Sequence, residues 1–237
     1  MRRSGGPPTL ATMGRTGSTE RTRGPAAATE RRRRGRTLEE RRQERREALL
    51  AAALEVFGTK GYAASSIEEI CRRAYVSSRD FYAEFANREA LLGALGEQLT
   101  LRIYRVLTEV EVDDGPDLER RRTHARIGGL VHVLVDDPRV ARITIVESVG
   151  ISEDHEARRR GAHRLYADWI RDYVRPELDA KGIEERQQRA LTLALVGAVN
   201  ELIVDWIHTR PDQRSDVDDL IDVITETASV LLLRSVG

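Results

Sequence analysis

Within residues 65–88, Ser65, Ser66 and Ser78 offer hydroxyls, Tyr82 a phenol, and Arg79 and Arg88 guanidinium groups. Hydroxyl and phenol groups donate to phosphate oxygens, and a guanidinium fork grips a phosphate or the paired acceptors of a guanine edge. The chemistry on offer is the binding of an acceptor-rich polyanion. Catalysis finds weaker support. Asp205 and His208 share a helical face, and His124/His132 and His155/His163 are each eight apart. Helical metal sites need several carboxylates and imidazoles converging, as in paired Glu-x-x-His motifs, and that pattern is absent. Glu153, Asp154 and Glu156 read as a solvated helix start. Cys71 falls on a buried helical face, where a thiol is structural. No Gly-rich phosphate loop occurs. No catalytic residue, metal or cofactor is therefore expected, and the chain is read as a non-enzyme.

The elements that position the binding groups are legible. Ile67, Ile70, Cys71 and Ala74 follow the i, i+3, i+4, i+7 spacing of a buried helical face, with Ser65-Ser66 ahead as the cap. Tyr75-Val76 breaks the pattern. Ser77 then begins a second helix with Asp80 three residues on, a capping-box-like start in which Asp replaces the usual Glu or Gln. Phe81 and Phe85 at i, i+4 face inward and leave Ser78, Arg79, Tyr82 and Ala83 outward. Ser77 itself reads as a cap and nothing more. Two short helices joined by a tight turn, the second exposing polar side chains and Arg, make a helix-turn-helix that places its second helix in a DNA groove.

Residues 46–92 resemble the DNA-binding domain of the TetR family of bacterial transcription regulators. The resemblance rests on Ala53-Leu54-Glu55-Val56-Phe57, Gly61-Tyr62, Ser65-Ser66-Ile67, Ile70-Cys71, Ala74-Tyr75-Val76-Ser77, Phe81-Tyr82-x-x-Phe85 and Arg88-Glu89-Ala90-Leu91, all in register. It covers about a fifth of the chain strongly. Two positions depart from the pattern. Tyr75 stands where the family has Gly, at a turn where a positive φ costs a bulky residue about 1–2 kcal/mol. Asp80 replaces a Thr, and a carboxylate near phosphates is unfavourable unless it is turned inward as a cap.

The remaining chain reads as helix. Residues 1–46 contain fourteen Arg and five Glu, a charge of +9, whereas the whole chain has 39 basic and 39 acidic residues. A basic N-terminal segment is thus joined to an acidic body of −9. Residues 1–36, rich in Gly, Pro, Ser, Thr and Arg, carry no apolar periodicity and read as a disordered arm. Arg31, Arg32, Arg33, Arg34 and Arg36 are either a solvated linker or an arm that lies along phosphates or in a minor groove. Arg2-Arg3 is followed by no apolar stretch, so no export signal is expected, and Met13 offers a second start. The longest apolar run, Leu191–Val199, falls short of the roughly 20 residues that span a bilayer. With a single cysteine, the chain suits a reducing cytoplasm.

A first helix is expected from Thr37 with Gly58 and Gly61 closing it, and a fourth from the Asn87 cap through Val110. Further helices are expected near 117–135, 138–149, 153–178, 184–209 and 215–235, separated by Asp136-Asp137-Pro138, Gly150, Ala180-Lys181-Gly182 and Arg210-Pro211. The fold expected is all-α with about nine helices: a three-helix DNA-binding domain over 37–86 and a helical ligand-binding and dimerisation bundle over 87–237. In the last two helices, apolar residues lie on more than one face, and Ala194, Gly197 and Ala198 permit close approach. The TetR resemblance implies that these helices pair with their copies; a purely intramolecular core is the alternative. Tyr104, His124, Ile127, Val131, Ile145, Tyr166, Trp169, Tyr173 and Asn200 are the candidates to line an effector pocket.

The function expected is a dimeric, sequence-specific DNA-binding regulator, a repressor released from a palindromic operator by a small molecule. Ser65, Ser66, Tyr82 and Arg88 would hold the phosphate backbone, while Ser78 and Arg79 read base edges. The alternative is a non-specific architectural nucleic-acid binder dominated by the Arg-rich arm.

Overall fold

The computed structural model describes residues 37–146 and 151–234. The arginines of the arm, Arg31 to Arg34 and Arg36, lie outside the described residues. Those described form nine α-helices with no strand among them. They group as two units, one ending at Arg41 and the other running from Arg42 onward.

In the first unit, Thr37 and Glu40 cap each other. The Glu40 amide donates to Thr37 Oγ1 over 3.1 Å, and the Thr37 amide donates to Glu40 Oε2 over 2.7 Å, so two orphan helix-start donors are satisfied reciprocally. The residues of helix α1 (Leu38–Lys60) from Arg42 onward belong to the second unit; among them Leu49, Ala53, Val56 and Phe57 are buried, and the helix ends at Gly61, whose φ of 86° is a conformation open to glycine.

In the second unit, α2 (Ile67–Ala74) begins at Ser66, which accepts the Glu69 amide; α3 (Ser78–Glu84) begins at Ser77, which accepts that of Asp80. Phe81 is fully buried and Phe85 nearly so, their rings 6.0 Å apart. The carboxylate of Glu84, 1% exposed, is met by Arg42 at 3.1 Å and Arg45 at 3.7 Å, which ties α1 to the end of α3. Helix α4 (Arg88–Thr108) is capped by Asn87, whose side chain accepts the Ala90 amide over 2.8 Å. Its Leu91, Leu95, Leu99 and Ile103 carry the apolar core out of the helix-turn-helix into the bundle.

The bundle comprises α5 (Leu118–Val135), α6 (Pro138–Ala141), α7 (Glu153–Ala180), α8 (Glu185–His208) and α9 (Val217–Ser229). Helix α6 passes into a π turn over Arg142–Val146, and α9 into another over Val230–Arg234. Helix α7 packs along α8, while α5 lies against both α4 and α9. A Cβ added to Gly58 would lie 2.4 Å from Arg139 Cβ, so glycine is what lets α1 and α6 approach this closely.

One expectation needs correcting. Helix α8 is long and apolar enough, by length and composition, to cross a membrane. Counting only the unbroken run Leu191–Val199 missed it, because the apolar residues resume after Asn200-Glu201. Only 28% of its most apolar window is buried. The chain leaves an apolar helix face uncovered.

Candidate nucleic-acid interface and effector cavity

The turn between α2 and α3 is closed by Tyr75 in the left-handed region, φ 54° and ψ 37°. The Val76 amide donates to the Cys71 carbonyl over 3.0 Å and the Tyr75 amide to that of Arg72 over 3.4 Å, the pairing of a Schellman cap. Tyr75 is 97% exposed, so no side-chain burial offsets its strained backbone. Asp80 is turned inward, its Oδ2 accepting the Ser77 hydroxyl at 2.7 Å. The acid is thereby held at the cap and its charge kept off the outer face of α3.

That outer face presents Ser78, Arg79 and Tyr82, all exposed. Arg79 makes no hydrogen bond or ion pair among the described residues, and its guanidinium is available to a ligand. Ser66 is exposed at the start of α2. Ser65 and Arg88 are placed otherwise than the sequence suggested. Ser65 is 6% exposed and donates its hydroxyl to the Tyr62 carbonyl over 2.7 Å. Half-buried Arg88 donates to the Ser65 carbonyl, approaches its hydroxyl at 3.3 Å, and stacks 4.2 Å from the Tyr62 ring centroid. These two residues lock the start of α4 to the start of α2. Which of two adjacent serines faces inward is fixed by Tyr62 and Arg88, and neither contact is written in the local pattern.

The bundle holds a cavity of about 550 Å³, partly open to solvent where exposed Leu101 and Leu165 line it, and within the range of small-molecule sites. It is walled by one face of α4 from Leu92 to Leu107, by α5, α7, α8 and α9, and by the π turn at Ile143, Thr144 and Ile145. Of the nine candidates for an effector pocket, Ile127, Ile145, Tyr166, Trp169, Tyr173 and Asn200 lie in its wall. Three other candidates do not. Val131 is fully buried in the core one helical turn beyond Ile127, and Tyr104 is half-exposed outside the cavity. His124 turns outward to Asp222, 3.3 Å away.

The sequence reading missed Arg126, His155 and His163, which are also in the wall. His163 Nε2 lies 3.2 Å from Asn200 Nδ2, a pair 37 residues apart that no local spacing reveals. The low-dielectric setting moves the titrating groups. Burial pushes His155 and His163 below the ordinary imidazole range, and pushes the Tyr166 phenol up to about 12. Among the described residues, no group of three or more His, Cys, Asp or Glu is placed to hold a metal. His208 Nδ1 meets the Val204 carbonyl at 2.8 Å and not Asp205. Burial raises the Cys71 thiol and keeps it in its neutral form.

The sequence profile described as "Bacterial regulatory proteins, tetR family" matches residues 49–95. No curated protein matches the chain by sequence. Among solved structures, the chain is similar to the fatty acid degradation regulator FadR from Bacillus halodurans (18% identity, 80% of this chain and 95% of that one, TM-score 0.64). It is similar to FadR from Bacillus subtilis in complex with stearoyl-CoA (20% identity, 79% and 97%, TM-score 0.62). A third likeness is to a TetR-family regulator from Syntrophomonas wolfei (18% identity, 81% and 96%, TM-score 0.65). The profile match and the structural likeness agree: residues 49–95 form a helix-turn-helix of the tetR family of bacterial regulatory proteins, and some four-fifths of the sequence shares the fold of solved TetR-family regulators.

Proposed function

We propose that the chain is a dimeric repressor that reads a palindromic operator and is released from it by an apolar small molecule held in the bundle. The observation that carries this reading is that cavity and DNA-binding helices share structural parts. Ile143, Thr144 and Ile145 face the cavity, while the adjacent Arg142 bonds the end of α1. Helix α4 walls the cavity at Leu92, and at its first residue, Arg88, it clamps Ser65. A molecule that spreads these walls biases the placement of α1 and α2.

In this reading Ser78 and Arg79 contact base edges, and Ser66 and Tyr82 hold phosphates. Ser65 and Arg88 support that grip from behind. Residues 37–86 form the reading unit and 87–237 the effector and dimer unit, acting in the cytoplasm where the DNA lies. The dimer is supported by the uncovered stripe Ala194 and Gly197 on α8 and by exposed Val223 and Val230 near α9. Two such copies place α3 helices in half-sites about one duplex turn, roughly 34–36 Å, apart. The lipid-like character of the effector is supported by the apolar wall and by the stearoyl-CoA named with the Bacillus subtilis relative.

The test is selection of bound duplexes from a random pool, followed by anisotropy on the selected and scrambled DNA at fixed salt. A palindromic consensus bound at least about a thousandfold tighter than scrambled DNA is expected. Equal affinity for both would favour an architectural binder driven by the Arg-rich arm.

A further inference from the structure

Three guanidinium groups reach the cavity wall: Arg126, Arg158 and Arg159. Arg158 is paired with Glu97 at 2.6 Å, and Arg159 with Glu156 at 3.0 Å. Arg126 has no carboxylate within ion-pair distance among the described residues. Its Nε donates to the Leu107 carbonyl over 3.2 Å, and its guanidinium carbon lies 4.2 Å from the Tyr173 ring centroid and 5.7 Å from that of Trp169. Those rings are stacked on one another, 5.9 Å apart and 6° from parallel. The nearby Glu119 carboxylate takes hydrogen bonds from the Tyr173 hydroxyl and Arg122 and feels the Arg126 charge without an ion-pair contact, while Arg126 also hydrogen-bonds the Tyr173 side chain. Arg126 Nη1 is buried with no hydrogen-bond partner.

A buried, unpartnered cationic donor is costly, and a guanidinium fork matches a carboxylate in two parallel bonds. The backbone bond and aromatic rings fix the Arg126 fork before a ligand arrives, so little freedom remains to be lost on binding. From this end the cavity follows α4 past Ile103, Thr100, Glu97 and Gly96 back to Leu92, about 22 Å along the helix axis, with apolar side chains such as Ile127, Leu195 and Ile143 supplied by the other walls. Resting on the reading of the cavity as an effector site, we propose that Arg126 receives a carboxylate, and that the effector is an elongated apolar carboxylic acid. Its free acid group lies between α4, α5 and α7 at the Arg126 end. Its tail runs toward Leu92 and the π turn, where it meets the parts that touch the DNA-binding helices.

The experiment uses the full chain and calorimetric titration with palmitate, hexadecanol and palmitoyl-CoA, each below its micelle concentration. Wild-type protein is expected to bind palmitate at least about tenfold tighter than hexadecanol, the worth of a charge-assisted hydrogen bond. Arg126→Met should abolish that preference while leaving hexadecanol binding unchanged, and Arg126→Lys should keep part of it. The retained hexadecanol binding shows that Arg126→Met is folded. Equal wild-type affinity for acid and alcohol, or an unchanged preference in Arg126→Met, overturns the carboxylate assignment alone. Tight palmitoyl-CoA binding with none for palmitate overturns it in favour of the thioester. Binding of none of the three overturns the effector-site reading on which it rests.

Discussion

Arg142 Nη1 donates to the carbonyl of Thr59 over 2.9 Å, so the π turn that walls the cavity is bonded to the last turn of α1. Gly58, one residue earlier, lies against Arg139 with no room for a side chain. A cavity wall and a DNA-domain helix are thus joined at two consecutive residues. The π turn is suited to such a role, since wide turns of this kind interrupt a helix at functional sites. Arg142→Ala should leave operator affinity nearly unchanged without effector. It should reduce the loss of operator affinity caused by palmitate about fivefold, the worth of one hydrogen bond of roughly 1 kcal/mol. Anisotropy titrations with and without palmitate measure this; an undiminished response would place the coupling elsewhere.

The second prediction separates reading from support. Arg79 projects from exposed α3 with no partner among the described residues, whereas Arg88 is engaged with Ser65 and Tyr62. Arg79→Ala should cost about 1–3 kcal/mol on operator and little on scrambled DNA, relaxing one base pair per half-site. Arg88→Ala should weaken both duplexes alike and also lower the melting temperature, because it frees the start of α2. A loss for Arg79→Ala that is equal on both duplexes would remove Arg79 from base reading.

Much of this arrangement was legible because it is local. Ser66, Ser77, Asn87 and Asp216 cap their helices through the amide three residues on, and Phe81 and Phe85 meet one turn apart. The cavity was less legible because helix packing, not spacing, selects its wall. Ile127 and Val131 sit one turn apart on α5, yet one lines the cavity and the other is sealed in the core. Arg126 was one arginine among many until Leu107, Trp169 and Tyr173 fixed its place. The π turn has no residue signature at all.

Tyr75 gives a stability prediction that was readable from sequence and is sharpened by its conformation. A left-handed backbone costs a non-glycine residue about 1–2 kcal/mol, and this side chain is almost wholly exposed. Tyr75→Gly removes that strain but gives the unfolded chain more freedom, an offset of about 0.5–1 kcal/mol. A net gain of up to about 1 kcal/mol is expected, read as a higher urea midpoint with unchanged slope. A loss of stability would show that Tyr75 makes interactions that outweigh its strain.

His155 sets a pH dependence. Burial lowers its proton affinity; Glu89 opposes this, Arg158 reinforces it and Glu156 opposes it. Its folded value therefore lies below the unfolded value of about 6.5. As pH falls through about 6.5, the unfolded chain takes up a proton that the folded chain refuses, so stability drops until the folded value is passed. Above that window the contribution is fully present. His163 acts in the same direction. The double variant His155→Gln, His163→Gln should lose less stability than wild type between pH 7.5 and 5.5 in urea titrations. An identical loss would assign the acid sensitivity to other groups.

The last prediction concerns assembly. Gly197 lies exposed on α8 beside Ala194, and a Cβ built on it meets nothing within 4 Å. A larger side chain there fits the single chain, and replacing a helical glycine should not weaken the helix. If two copies close on this stripe, the same side chain meets the partner's helix at close range and its charge is buried without a partner. Gly197→Arg should therefore keep its helical circular dichroism and a cooperative melt yet sediment as a monomer. Its operator affinity should fall toward that of a single half-site, since the second recognition helix is no longer held in register. Sedimentation velocity and anisotropy on whole and half operators read the two effects separately. A folded Gly197→Arg protein that remains dimeric would move the interface off this face of α8.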